Sequence, residues 1–422
     1  MENSQLTIYN FDFYSTLVAM VIVLLVGVFI IKRSKFLQEY NIPEPVVGGV
    51  IAAILLLMLY SWGGVQIKFD NSLKDPLMLA FFSSIGLLAD FASLKKGGIK
   101  LVVFLVIITG LLLLQNGIGI GVATAMGENP LIGLLGGSIT MSGGHGTGGA
   151  WAETFIKDYN FAAATEVAMA SATFGLIAGG IIGGPVARYL IKKYKLKTPG
   201  TEVKDENDAI LNFEKPHQER LITQSSFVES LALIAFCLLI GVFLADYLNP
   251  KITILLKNAF SLSETFKFNL PTFVYCLFTG VVLRNILSLT RIHQVFDREV
   301  SVLGNVSLSL FLAFALMTVN LIELISLALP ILTILFFQVV TMVLYAIFIT
   351  FRFCGKDYDA AVLAAGHCGF GLGATPTAMV NMQTVTNHYG MSHVAFIIVP
   401  LCGAFFIDII NAIVIQVFVG FL

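Results

Sequence analysis

Long apolar runs alternate with short polar intervals from one end of the chain to the other. Ser15 to Ile31, Leu101 to Ala123 and Leu327 to Ile349 each approach or exceed the roughly 20 residues that carry a helix across a bilayer. None shows period-two alternation, so the pattern predicts membrane helices and not barrel strands. Two intervals break it differently. SITMSGGHGTGGAWAETF, from Ser138, and AAGHCGFGLGATPTAMVNMQ, from Ala364, place small and polar residues at what reads as membrane depth.

The order of events repeats on either side of a polar interval near the middle. The first part gives spans at Ser15 to Ile31, from Ile42, at Pro76 to Leu94 and at Leu101 to Ala125, then a Gly/His-rich interval, then a closing span at Ala162 to Ile191. The second part gives Phe227 to Leu248, a span from Leu270, Val302 to Ile322 and Leu327 to Phe351, its own Gly/His-rich interval, and Val394 to Leu422. Pro43 and Pro271 lie about 228 positions apart, and His145 and His367 about 222, so the register nearly holds. The expected organisation is an N-terminal repeat over 1–195, a linker over 196–222 and a C-terminal repeat over 223–422.

Lys and Arg set the orientation. Lys32, Arg33 and Lys35, Lys95, Lys96 and Lys100, Lys192, Lys193, Lys195 and Lys197, Arg291 and Arg298, and Arg352 and Lys356 share one side only if each Gly/His interval enters and leaves on the same face. That makes re-entrant loops of about 131–157 and 360–385 and leaves five full spans per half. Five is odd, so the second half runs upside down relative to the first, with both chain ends outside and the linker in the cytoplasm. The fold class predicted is an all-α membrane protein, an inverted-repeat secondary transporter.

Composition agrees. The 422 residues are 57% hydrophobic and 12% charged, against about 25% charged in soluble chains. Glu2 and Asp12 precede the first run where a signal peptide would be basic, so it is expected to be retained. The five cysteines show no C-x-x-C spacing, which speaks against a disulfide framework or structural zinc. A net charge of −1 gives no case for a nucleic-acid partner; membrane lipid is the expected surroundings.

The candidate chemistry sits in the two loops. Thr375 followed by Pro376 reads as a helix N-cap and first position, so a half-helix should begin there at depth; Thr147 is a weaker version, capping an arm from Ala150. Half-helix N-termini offer free N–H groups and about half a positive charge each, which suits carboxylates. The expected substrate-binding set is Ser142, Gly143, Gly144, His145, Gly146 and Thr147 in the first loop, and Gly366, His367, Gly371, Gly373, Thr375 and Thr377 in the second. Asp408 with Asn411, and Asn116 and Asn305 in their own spans, form a candidate sodium set, because hard oxygen donors are present and clustered thiolates and imidazoles are not. Gln115 beside Asn116 is a further polar group within the span, an interhelical hydrogen bond is the competing role for Asn116 and Asn305, and Glu44 and Glu166 read as interfacial or capping residues. A pore remains an alternative, since opposed re-entrant loops also build channels. An intramembrane enzyme is disfavoured by the lack of H-E-x-x-H and G-x-S-x-G, and no catalytic residues or organic cofactor are expected.

The longer motifs carry a resemblance. SGGHGTGGAW (142–151), AAATEVAMASATFGLIAGGIIGGPVARYL (162–190), SVLGNVSLSLFLAFALM (301–317), YDAAVLAAGHCGFGLGATPTAMVNMQ (358–383) and VPLCGAFFIDIINA (399–412) are similar to the bacterial sodium/glutamate symporter family. The opening IPEPVVGG and DPLMLAFFSSIGL fit as well. The resemblance implies uptake of L-glutamate with sodium as coupling ion, by alternating access, in a homodimer of the bacterial inner membrane. From the residues alone the reading stops at a cation-coupled carrier of a small anion, and another di- or tricarboxylate stays open.

Overall fold

The computed structural model describes residues 7–39, 42–91, 94–199, 221–260 and 270–422, so most of the predicted linker lies outside the described residues. In chain order the helices are α1 Phe13–Ile31, α2 Glu44–Gly63, α3 Lys74–Leu88, α4 Leu94–Ala125, α5 Pro130–Leu134, α6 Gly144–Tyr159, α7 Ala164–Tyr194, α8 Gln224–Phe260, α9 Thr272–Thr290, α10 Asp297–Met317, α11 Ala328–Tyr345, α12 Tyr358–Leu372, α13 Thr375–Tyr389, α14 His393–Leu401 and α15 Ile407–Val419. Short helical turns lie at Lys35–Glu39 and Leu321–Ser326. Eight helices among the described residues are long and apolar enough to cross a membrane.

Two expected spans take a different form. The third stops at Leu88, leaving α3 only 15 residues, because the backbone turns away at Ala89 (ψ 78°). The last runs on from His393 to Val419 but carries Pro400 and a π-turn at Cys402–Phe406, between the stretches α14 and α15. A ring clash and a missing N–H at proline disrupt the preceding ladder, and π-turns mark such discontinuities. A short parallel pair, β1 Thr7–Asn10 beside β2 Val65–Lys68, also departs from the all-helical expectation. It forms because the antiparallel α1–α2 hairpin returns the residues after α2 to the level of those before α1.

The helices sort into two bundles, and each takes elements from both parts of the sequence. α1, α2 and α3 pack with α8, α9 and α10; α4 to α7 pack with α11 to α15. In the first bundle, small residues allow backbones to touch. A Cβ on Gly27 of α1 would overlap the Glu44 carbonyl of α2, and a Cβ on Gly48 of α2 would overlap the Val23 carbonyl of α1. A Cβ on Gly280 of α9 would lie 2.7 Å from the Ser83 carbonyl of α3. In lipid, where apolar side chains gain little by leaving their solvent, such close packing is a main source of helix association. Both glycine-rich intervals belong to the second bundle, and all five cysteines are buried.

The bundles have distinct ends. Ile31 of α1, Glu44 of α2, Leu88 of α3 and Ser301 of α10 all border one cavity, at the end where Lys32, Arg33 and Arg291 follow helices and Arg298 stands in the first turn of α10. At the opposite end, Lys74 of α3 pairs with Glu153 of α6, and Lys157 of α6 lies 3.2 Å from Asp75 of α3. Lys157 is also 3.1 Å from Glu153, so four charges join the two bundles there.

Candidate functional site

Each glycine-rich interval is a helix, a break and a second helix. In the first, Asn129 Oδ1 accepts from the Leu131 N–H at 2.9 Å and caps α5, with Pro130 at the first position. The chain continues through a π-turn over Leu135–Ile139, in which Gly137 leaves helical geometry (φ −94°, ψ −142°). Helix α6 then starts at Gly144, whose φ of +66° is readily open only to glycine. In the second interval, α12 is capped by Asp357 and ends at Gly373 (φ −144°, ψ −98°); Ala374 is extended, and α13 starts at Thr375.

Both expected caps are corrected by this geometry. Ala374 occupies the N-cap position of α13, and Thr375, already helical, donates its hydroxyl to the Gly403 carbonyl at 2.6 Å. Helix α6 begins before Thr147, so that residue is in its first turn, where its hydroxyl faces the Asp408 carboxylate. The sequence showed a capping residue type beside proline but not the π-turn near Gly403, a neighbour about 28 residues on that draws the hydroxyl away.

The two breaks meet at a cavity of about 840 Å³ between the bundles. Ser142, Gly143, Gly144, His145 and Gly146 line it from the first interval, and Gly373, Ala374, Thr375 and Pro376 from the second. The tips are close: a Cβ on Gly144 would lie 3.5 Å from the Gly373 carbonyl. The first turns of α6 and α13 therefore both open onto this space. Asp408 lines it from α15, while Glu44, Phe81, Ser84 and Asn305 face it from the other bundle. No lysine or arginine is among the described residues that line it.

His145 is buried at the cavity wall with Nε2 at 3.0 Å from Thr173 Oγ1. The Thr173 hydroxyl already donates to the Met169 carbonyl at 2.9 Å, so the imidazole N–H is the donor to Thr173. His367 is held elsewhere. Its Nδ1 lies 2.8 Å from Thr350 Oγ1, and its ring centroid is 5.2 Å from that of Phe104 and 5.1 Å from that of Phe370. It does not border the cavity; Phe370 does. Gly366 packs against Val399 and Met382, and Thr377 is buried with no partner for its hydroxyl among the described residues.

The remaining expected residues hold the breaks in place. Gln115 Nε2 donates to the Gly371 carbonyl at 2.7 Å, and Ser142 Oγ donates to Gln115 Oε1 at 2.8 Å. One glutamine of α4 thus joins both intervals. Its neighbour Asn116 accepts from the Ser138 N–H at 2.9 Å, and Asn411 bonds both the hydroxyl and the carbonyl of Ser138. The candidate sodium set is therefore divided: Asp408 and Asn305 reach the cavity, whereas Asn116 and Asn411 secure the first break. Phe81, Ser84 and Ser301 border the cavity without having stood out in the sequence. Their only signal was a Ser-Ser pair inside the apolar run of α3, too common a feature to single out.

Two bundles enclosing a cavity lined by the ends of broken helices, in a chain of apolar membrane-length helices, define a helical membrane protein of the transporter class. The chain belongs to the sodium/glutamate symporter family, whose profile matches residues 9–391. It is 54% identical over 410 residues to the sodium/glutamate symporter of Escherichia coli (strain K12), covering 97% of this chain and 98% of that one. The figures are the same for the sodium/glutamate symporter of Shigella flexneri. The sodium/glutamate symporter of Haemophilus influenzae is 52% identical over 411 residues, 97% of either chain.

Proposed function

We propose that this protein carries L-glutamate into the cell with sodium as coupling ion, by alternating access of the cavity between its bundles. The observation that carries this reading is the convergence of the first turns of α6 and α13 on one cavity. Free N–H groups and helix dipoles favour anions there without any basic side chain. Sodium takes oxygen ligands close to the breaks, where carbonyls leave the helical ladder and the Thr377 hydroxyl is buried without a partner. Sodium and substrate each shift the protein toward one state only by binding it more tightly than the other.

On this reading each glycine-rich interval is a re-entrant loop, the two halves of the sequence are inverted repeats of five spans, and the protein sits as a homodimer in the inner membrane. The basic residues at the cavity's end make that end cytoplasmic. The arrangement described is then the inward-facing one, closed outside by the Lys74, Asp75, Glu153 and Lys157 cluster, and transport moves the loop-bearing bundle against the other. Uptake of labelled L-glutamate into proteoliposomes of the full chain tests the function. Saturable accumulation is expected under an inward sodium gradient and none with potassium in its place. Sodium-independent, non-saturating flux would instead indicate a pore, and sodium-driven uptake of another carboxylate but not glutamate would change the substrate.

A further inference from the structure

The cavity's charges are unusual for an anion site. Its described lining holds two carboxylates, Asp408 and Glu44, and no lysine or arginine. Asp408 has no ion-pair partner among the described residues; its neighbour is the uncharged Thr147 hydroxyl. A carboxylate removed from bulk water and left without a counter-charge is costly, so this one takes up a cation or a proton when the cavity closes.

We infer that Asp408 binds the α-ammonium of the substrate and so sets the preference for an amino acid over a plain dicarboxylate. The inference rests on the proposed function, since it assigns a group of that substrate. Three features support it. Glutamate brings three charged groups, and the cavity offers three matching partners: the N-terminus of α6, the N-terminus of α13 and Asp408. The α-carboxylate and α-ammonium share one carbon, so their partners must be neighbours; Asp408 faces Thr147 in the first turn of α6, the same turn that opens Gly144, His145 and Gly146 to the cavity. Glu44, by contrast, comes from the facing bundle and is exposed.

A bare sodium ion is the competing occupant, and the surroundings disfavour it. Sodium stripped of water needs oxygens on all sides, whereas the side-chain oxygen found beside Asp408 is that of Thr147. The nearby Gly403 carbonyl already accepts from Thr375. An ammonium needs only a few directed acceptors and arrives with its own substrate.

The test compares L-glutamate with glutarate, which keeps both carboxylates and lacks the ammonium. Binding of each to the purified full chain is titrated in detergent, at a series of sodium concentrations, for the parent and for Asp408→Asn and Asp408→Glu. The parent should prefer glutamate by at least 100-fold. In Asp408→Asn glutamate should weaken tenfold or more while glutarate holds or tightens, with sodium dependence unchanged; Asp408→Glu should restore part of the preference. Equal weakening of both ligands, or a rise in the half-saturating sodium concentration with either, would overturn the inference and make Asp408 a sodium ligand. Failure of the parent to bind glutamate at all, with sodium present, would instead refute the proposed function. Binding rather than uptake is read, so a variant that cannot complete the transport cycle still reports.

Discussion

Asn411 grips Ser138 twice, from 273 positions away: the Ser138 hydroxyl donates to Asn411 Oδ1 at 2.6 Å, and Asn411 Nδ2 donates to the Ser138 carbonyl at 2.9 Å. Both residues are fully buried, and the contact lies next to the non-helical Gly137. Backbone groups released by a break need such partners when no water reaches them. Replacing Asn411 by Ala takes the acceptor from the buried Ser138 hydroxyl and one donor from the Ser138 carbonyl, which keeps the Gly143 N–H at 3.1 Å; the unpaired hydroxyl costs about 1–3 kcal/mol. The expected result is a lower unfolding midpoint in detergent together with lost transport. Asn305→Ala should move the midpoint far less, since Asn305 is exposed and its side-chain hydrogen bond among the described residues is to Ser301, at 3.4 Å.

At Gly146 the two bundles touch beside the cavity. A Cβ there would lie 2.6 Å from Phe81 Cε1 and 3.2 Å from Leu308 Cδ1, both on the facing bundle. Gly146→Val should therefore hold the bundles apart and cut uptake by more than tenfold without reducing membrane insertion. Adding Phe81→Leu should return part of the rate. A Gly146→Val protein that transports at the parental rate would exclude this contact from the cycle.

The charge cluster opposite the cavity opens a separate test. Glu153 accepts from Lys74, its side chain is only 12% exposed, and Lys157 and Asp75 complete the link between α3 and α6. Glu153→Gln removes the charge that both lysines share. A loss of about 1.4 kcal/mol in that closure changes the ratio of closed to open forms about tenfold. Impermeant maleimide applied from the outer side should label Thr154→Cys faster when Glu153→Gln is also present. The native thiols are all buried and should give a low background.

Thr375 anchors α13 to the bend between α14 and α15 through Gly403. In Thr375→Val the shape is nearly kept while the donor is lost, and the Gly403 carbonyl goes unpaired. A deficit near 1.4 kcal/mol corresponds to a tenfold rise in the apparent KM for substrate. Thr375→Ser retains the hydroxyl and should behave like the parent.

The sequence shows much of this site and misplaces part of it, for physical reasons. Glycine clusters and the Thr-Pro pair mark where helices break, because those signals are local. Nine of the sixteen singled-out residues, among them Ser142, Gly373 and Asp408, border the cavity. His367 and Gly371 lie in the correct interval, but on the side of α12 turned toward Phe104 and Gln115. Which side faces the cavity depends on how α12 docks against α4 and α7, and that information is distributed over contacts hundreds of residues apart. The same holds for Phe81 and Ser84, which become cavity residues only because α3 faces the loop-bearing bundle.

The interleaving of the two bundles also bears on how the chain is made. Helices α1 and α2 meet through Gly27 and Gly48 and can pair as soon as both have left the ribosome, since neighbours in sequence close the shortest loop. Helix α3 cannot follow them. Its partners α9 and α10 lie some 200 residues further on, and until they arrive its Ser83, Ser84 and Gly86 face lipid without a backbone to touch. Neither bundle can be completed from the first half of the chain: the first waits for α10 and the second for α15, so a nascent chain stalled at the linker holds both bundles unfinished, with α3 still facing lipid.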